Sequence, residues 1–111
     1  MIEKNIKIGG LYYKTLEVKD LARDHSALGR CCGNNTTIEL DSELKDSVKE
    51  KTLIHEIIEA INFEYELDLE HPKISILASA FYQVLVDNKN LFATVNNKEE
   101  PRKDHIFDES S

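Results

Sequence analysis

Near residue 41 the spacing of the apolar residues changes period. Before it, Ile6, Ile8 and the run from Leu11 to Val18 carry β-branched and aromatic residues in partial alternation, and Thr36 to Leu40 has strong strand character. After it, Val48, Leu53, Ile54, Ile57, Ile58 and Ile61 recur at helical intervals, with Ile54, Ile58 and Ile61 expected on one stripe. A period of two serves a pleated surface and a period of 3.6 serves a helix stripe, so neither half can adopt the other's structure and still bury its apolar residues. Strands come first and helices second. That order predicts an α+β fold: a small twisted, mainly antiparallel sheet in the N-terminal half, packed against two long C-terminal helices.

Local signals punctuate both halves. Gly9-Gly10 predicts a turn or bulge between the first two strands. Asp20 to Asp24 reads as a short helical turn. Gly33-Asn34-Asn35 separates the runs 27–32 and 36–40 and suits a hairpin, since Gly and Asn tolerate positive φ. A helix is expected over about residues 43 to 66, with Ser47 and Glu50 at capping-box spacing and Ser47 marking a break or a cap. Pro72 suits the first position of a second helix. Ile74, Leu77, Ala78, Phe81, Val84 and Leu85 supply its stripe to about Asn90. Residues 1–95 read as one domain and residues 96–111, polar and charged, as a disordered tail.

Charge narrows the function classes. The chain of 111 residues is 32% charged with a net charge of -7, and has no run of five basic residues. A phosphate backbone or an anionic membrane would repel it, so no nucleic acid and no membrane partner is expected. No apolar stretch approaches the ~20 residues of a transmembrane helix. Met1 to Asn5 lacks the apolar core of a signal peptide, which points to a cytoplasmic protein. Cys31 and Cys32 are adjacent; neighbours on a strand point to opposite faces, so two reduced thiols are expected. His25 and His105 stand in polar contexts and read as solvated.

The segment from Thr52 to Asn62 holds His55-Glu56-Ile57-Ile58-Glu59, one residue away from the pattern H-E-x-x-H. Positions i and i+4 project from one helix face, so His55 and Glu59 could grip one metal ion, and imidazole and carboxylate are both zinc ligands. Glu56 stands where a general base would. The bland alternative is a surface hydrogen bond worth a few tenths of a kcal/mol. A third ligand must come from elsewhere. His71, twelve residues after Glu59 and just past the turn between the helices, is the first candidate; Glu66, Asp68 and Glu70 are others.

These residues carry a resemblance. Thr52 to Asn62, with Leu69-Glu70-His71 and Leu85-Val86-Asp87-Asn88, resembles small phage and prophage proteins of the zincin-like metallopeptidase type, similar in pattern to the ImmA/IrrE group. It covers about residues 6 to 92. It implies a minimal zincin-like fold, with Thr36 to Leu40 as an edge strand along which an extended peptide is laid. It also implies zinc held by His55, Glu59 and His71, with Glu56 as catalytic base. The chain departs from the pattern at Glu59, which replaces the second histidine, and at Leu77, Ala78 and Phe81, where the second helix offers no glutamate ligand.

Two functions follow as expectations. One is a phage zinc metallopeptidase in which metal and Glu56 activate water; Tyr65 or Tyr82 could help stabilise an oxyanion, though packing in the core or an interface is the more common role of such residues. The other is a non-catalytic zincin-like module that binds a peptide or a host protein. A third use of the second helix is self-association through Ile74, Leu77, Phe81 and Leu85.

Overall fold

A computed structural model describes residues 4 to 96. The expected tail therefore lies, apart from Asn96, outside the described residues, as does His105. Four strands, β1 (Lys4–Ile8), β2 (Leu11–Val18), β3 (Gly29–Cys32) and β4 (Thr37–Asp41), form one sheet in the order β1-β2-β4-β3. β1 pairs antiparallel with β2, and β3 with β4, while β2 and β4 run parallel. A parallel pair needs a crossover, and the short helix α1 (Leu21–His25) together with β3 provides it. Two long helices follow, α2 (Asp46–Tyr65) and α3 (His71–Asp87), and then the short α4 (Leu91–Asn96). The α+β class is as the period change predicts.

Gly9 and Gly10 form the β1–β2 turn, both at positive φ. Beyond it, Tyr13, Thr15 and Glu17 alternate onto the face that α2 covers. There Tyr13, Ile38, Leu40 and Ala60 are fully buried, with Leu53, Ile57 and Ile61 packed around them. Two polar ties hold α2 across this face. The Tyr13 hydroxyl donates to Glu64 near one end, and Lys49 Nζ lies 3.0 Å from Glu17 Oε1 near the other. Burial and the Glu64 carboxylate push the Tyr13 phenol well above its ordinary pKa. Asp41 ends β4 by accepting from the backbone N–H of Ala22 (2.6 Å) and of Glu43 (2.7 Å), which ties α1 to the approach of α2. Those two donors hold its carboxyl below the usual carboxylate range.

α3 packs against α2 through a smaller contact, in which Ile58, Ile74 and Ala78 are buried and Ile54 and Leu69 lie alongside. The stripe expected to hold Ile54, Ile58 and Ile61 together is therefore split, with Ile61 turned to the sheet and the other two to α3.

Three expectations are corrected. The strand Thr37–Asp41 is interior, paired on both sides, because β2 adds to it in parallel; the edge strands are β1 and β3. The first long helix is unbroken at Ser47, and its N-cap is Lys45 with no side-chain cap, so Ser47 and Glu50 form no capping box. In the β3–β4 connection the left-handed residue is Thr36 (φ 50), while Gly33 to Asn35 make one turn of 3₁₀ helix.

Candidate metal centre

The α2–α3 turn decides what the site can be. Glu66 and Asp68 adopt left-handed backbone (φ 51 and 60), which reverses the chain within a few residues. Asn62 locks that reversal: its Oδ1 accepts from Leu69 N (2.9 Å) and its Nδ2 donates to Leu69 O (3.3 Å). Asn62 lies one turn beyond Glu59 on the same face, and it acts on the turn rather than as part of the cluster. His71 then opens α3 beside the middle of α2.

There the three expected ligands converge. Glu59 Oε2 lies 3.4 Å from His55 Nε2 and 3.2 Å from His71 Nδ1, and the His55 and His71 rings are centred 4.9 Å apart. One ligand atom from each residue falls within 4.8 Å of the others. Ligand atoms of a tetrahedral zinc site, each about 2.0–2.1 Å from the ion, stand about 3.3 Å apart. The two edges that end on Glu59 match that spacing, and two imidazoles with one carboxylate form an established zinc donor set. Among the described residues Glu66, Asp68 and Glu70 take no part in the cluster. The side chains of His55 and Glu59 are 18% and 28% exposed and that of His71 is 70% exposed. Two of the candidate ligands thus sit in the protein wall and the third lies over them at the surface.

Burial sets the charge states. It lowers the His55 pKa, the Glu59 carboxylate opposes that, and His71 adds to the lowering. A neutral imidazole is the form that ligates metal. Glu56 is only 6% exposed, and burial, then the Glu59 charge, pushes its carboxyl up to about 7. Burial also pushes the Cys31 thiol up to about 12, with Glu56 and Glu59 adding to the rise, which leaves it an unreactive thiol. Both cysteines are free, as expected.

His55, Glu56 and His71 line a cavity of about 700 Å³ between α2, α3 and the loop into β3. Its remaining wall includes Leu28, Gly29, Thr52 and Tyr82. At Gly29 the start of β3 runs close against α2. A Cβ there would stand 2.8 Å from Thr52 Cγ2, 3.1 Å from the Glu39 carbonyl oxygen and 3.2 Å from Glu56 Cγ. A glycine inside a strand is a sequence signal of such an approach, but the fit of Gly29 over Glu56 was not among the sequence expectations. Of the two candidate tyrosines, Tyr82 lines the cavity and donates to Glu50 (3.0 Å). Tyr65 is exposed beside the β1–β2 turn and does not line it. His25 is exposed, as expected. Among the described residues no helix is long and apolar enough to cross a membrane.

No protein-family model, curated protein or solved structure matches this chain.

Proposed function

We propose that this chain is a zinc-dependent, peptidase-like hydrolase of the zincin type, with His55, Glu59 and His71 as ligands and Glu56 as general base. The observation that carries the reading is that one ligand atom from each of the three residues lies within 4.8 Å of the others, at the wall of the cavity that Glu56 also lines. When bound, zinc supplies Lewis acidity, polarising a carbonyl and lowering the pKa of water. Glu56 takes the proton of the attacking water at a carboxylate oxygen and delivers it to the leaving amine. His55 and Glu59 hold their positions because α2 is packed on the sheet, and Asn62 positions His71 through the turn. β3 is an edge strand antiparallel to β4, and Gly29 at its start lines the cavity. An extended peptide that added to this edge would run past Glu56.

The test begins with metal. Protein purified without a tag and stripped with a chelator should take up one zinc per chain, with His55→Ala and His71→Ala each reducing affinity at least tenfold. Glu56→Gln should retain the zinc and lose cleavage of a peptide library. Failure to take up zinc, or a His71→Ala variant that binds as tightly as wild type, overturns the ligand set. Stoichiometric zinc without cleavage under any peptide sequence leaves the binding module in place of the enzyme.

A further inference from the structure

α3 buries one face against α2, and among the described residues no element covers the opposite face. Ile74 and Ala78 point inward, while Ile76, Leu77, Phe81 and Val84 are exposed. From Ile74 to Val86 there is no charged residue, in a chain that is 32% charged overall. At about 100° per residue, Lys73, Leu77, Ala80, Val84 and Asp87 form one stripe, flanked by Ile76 and Phe81. All of these residues are exposed.

The stripe is symmetric about Ala80. Lys73 stands seven residues before Ala80 and Asp87 seven after; Ile76 stands four before and Val84 four after. We propose that two copies of this chain pair through α3, antiparallel, with a two-fold axis at Ala80. That arrangement sets Lys73 of each copy opposite Asp87 of the other and Ile76 opposite Val84. It puts a methyl group on a methyl group at the crossing, where small side chains let helices approach. A parallel pair would set Lys73 on Lys73 and Asp87 on Asp87, and like charges repel. The uncharged centre of the stripe also gives a charged partner nothing to pair with, while two copies that each carry a net charge of -7 meet here without opposing charge. Gln83 Nε2 donates to Asp87 Oδ2 (2.9 Å), which holds that carboxylate at the end of the stripe. His71 and the cavity-lining residues of α3 lie toward α2, so pairing leaves the cavity open. The inference is independent of metal.

Sedimentation equilibrium of the full chain should report twice its 12.7 kDa mass. Leu77→Asp should weaken the dimer by more than roughly tenfold, since it buries an unpaired charge, with the circular dichroism spectrum unchanged. Lys73→Asp and Asp87→Lys should each weaken it by roughly threefold to thirtyfold, two pairs being lost in each dimer. The double variant K73D/D87K should recover wild-type affinity. With Cys31 and Cys32 replaced by serine, Ala80→Cys should form an intermolecular disulfide on oxidation and Lys73→Cys should not. A monomer at millimolar concentration, a double variant no better than the single ones, or equal cross-linking by Lys73→Cys and Ala80→Cys would each overturn the proposal.

Discussion

The two helices that build the candidate site are held by buried clusters of different size, among the described residues five under α2 and three between α2 and α3. α2 lies on a core in which Tyr13, Ile38, Leu40 and Ala60 have no exposed surface, and it is tied to the sheet near both ends by Glu64 and Lys49. α3 is held to α2 by Ile58, Ile74 and Ala78, with a two-way hydrogen bond from Asn62 at the turn. His55, Glu56 and Glu59 belong to the deep side and His71 to the shallow one. A site shared between a fixed wall and a lightly held helix is completed only when the light element is in place. Any ligand that bridges the two, a metal ion above all, stabilises the closed arrangement by its differential affinity for it. Binding at a free concentration a hundred times Kd would add about 2.7 kcal/mol.

Truncation of each core separates the two contacts. Ile38→Ala removes a fully buried side chain from a region that cannot collapse around the cavity, and should cost about 4 kcal/mol. Against a typical stability of about 5–15 kcal/mol, that is a large fraction of the whole. Ile74→Ala should cost about 2 kcal/mol, the lower end for such changes, because its buried cluster is smaller and borders the cavity, where neighbours can relax. The stronger contrast is local. Hydrogen exchange should speed up in α3 of Ile74→Ala while the amides of β4 stay protected, whereas Ile38→Ala should speed both. Equal acceleration of both elements by Ile74→Ala would show that the molecule opens as one unit.

Glu56 sits on the deep side at a cost that pH exposes. Its carboxyl, ordinarily near 4.5, is raised to about 7 by burial. Below the ordinary value it is protonated in both folded and unfolded chains and costs nothing. As pH rises from 4.5 to about 7 the unfolded chain ionises while the folded one does not, so stability falls through that window and is flat above it. In chelator, Glu56→Gln should remove this slope and be more stable than wild type at pH 8 by on the order of 3 kcal/mol. At pH 4 the two should be equal. Parallel stability–pH curves for the two proteins would contradict the burial assigned to Glu56. As the proposed general base, Glu56 is buried at the expense of stability, the usual trade at a functional site.

What was legible in the sequence divides along the same line. Periodicity is local, and it carried the strand and helix halves, the His55–Glu59 face and the return of His71 across a short turn. The order of strands is not local. A Thr36-to-Leu40 segment reads equally well as edge or centre, and only the parallel partner β2 makes it central and hands the edge to β3. Helix faces failed for a related reason. Ile61 and Ile58 are close enough in angle to share a stripe, but α2 has cores on two sides and divides them. The Ser47–Glu50 spacing matched a capping box, yet Asp41 already satisfies the Glu43 amide and draws the chain so that the helix starts at Asp46. Asn62 and Gly29 act through backbone geometry: one grips a peptide unit beyond the helix, the other lets strand and helix close over Glu56.

The deep core carries one flaw, and its size sets the smallest expected effect. Thr15 is fully enclosed between the sheet and α2, and among the described residues its Oγ1 has no hydrogen-bond partner. An unpaired buried hydroxyl keeps its desolvation cost, while replacing it with an apolar group of the same shape removes that cost. Thr15→Val keeps the β-branched outline that a strand favours. It should therefore stabilise the protein by about 1 kcal/mol, raising the midpoint of urea unfolding without changing its slope. The sign tests the comparison. A loss of stability would mean that the hydroxyl has a partner, so that the sheet–α2 interface admits water and is less closed than the α2–α3 contact beside it.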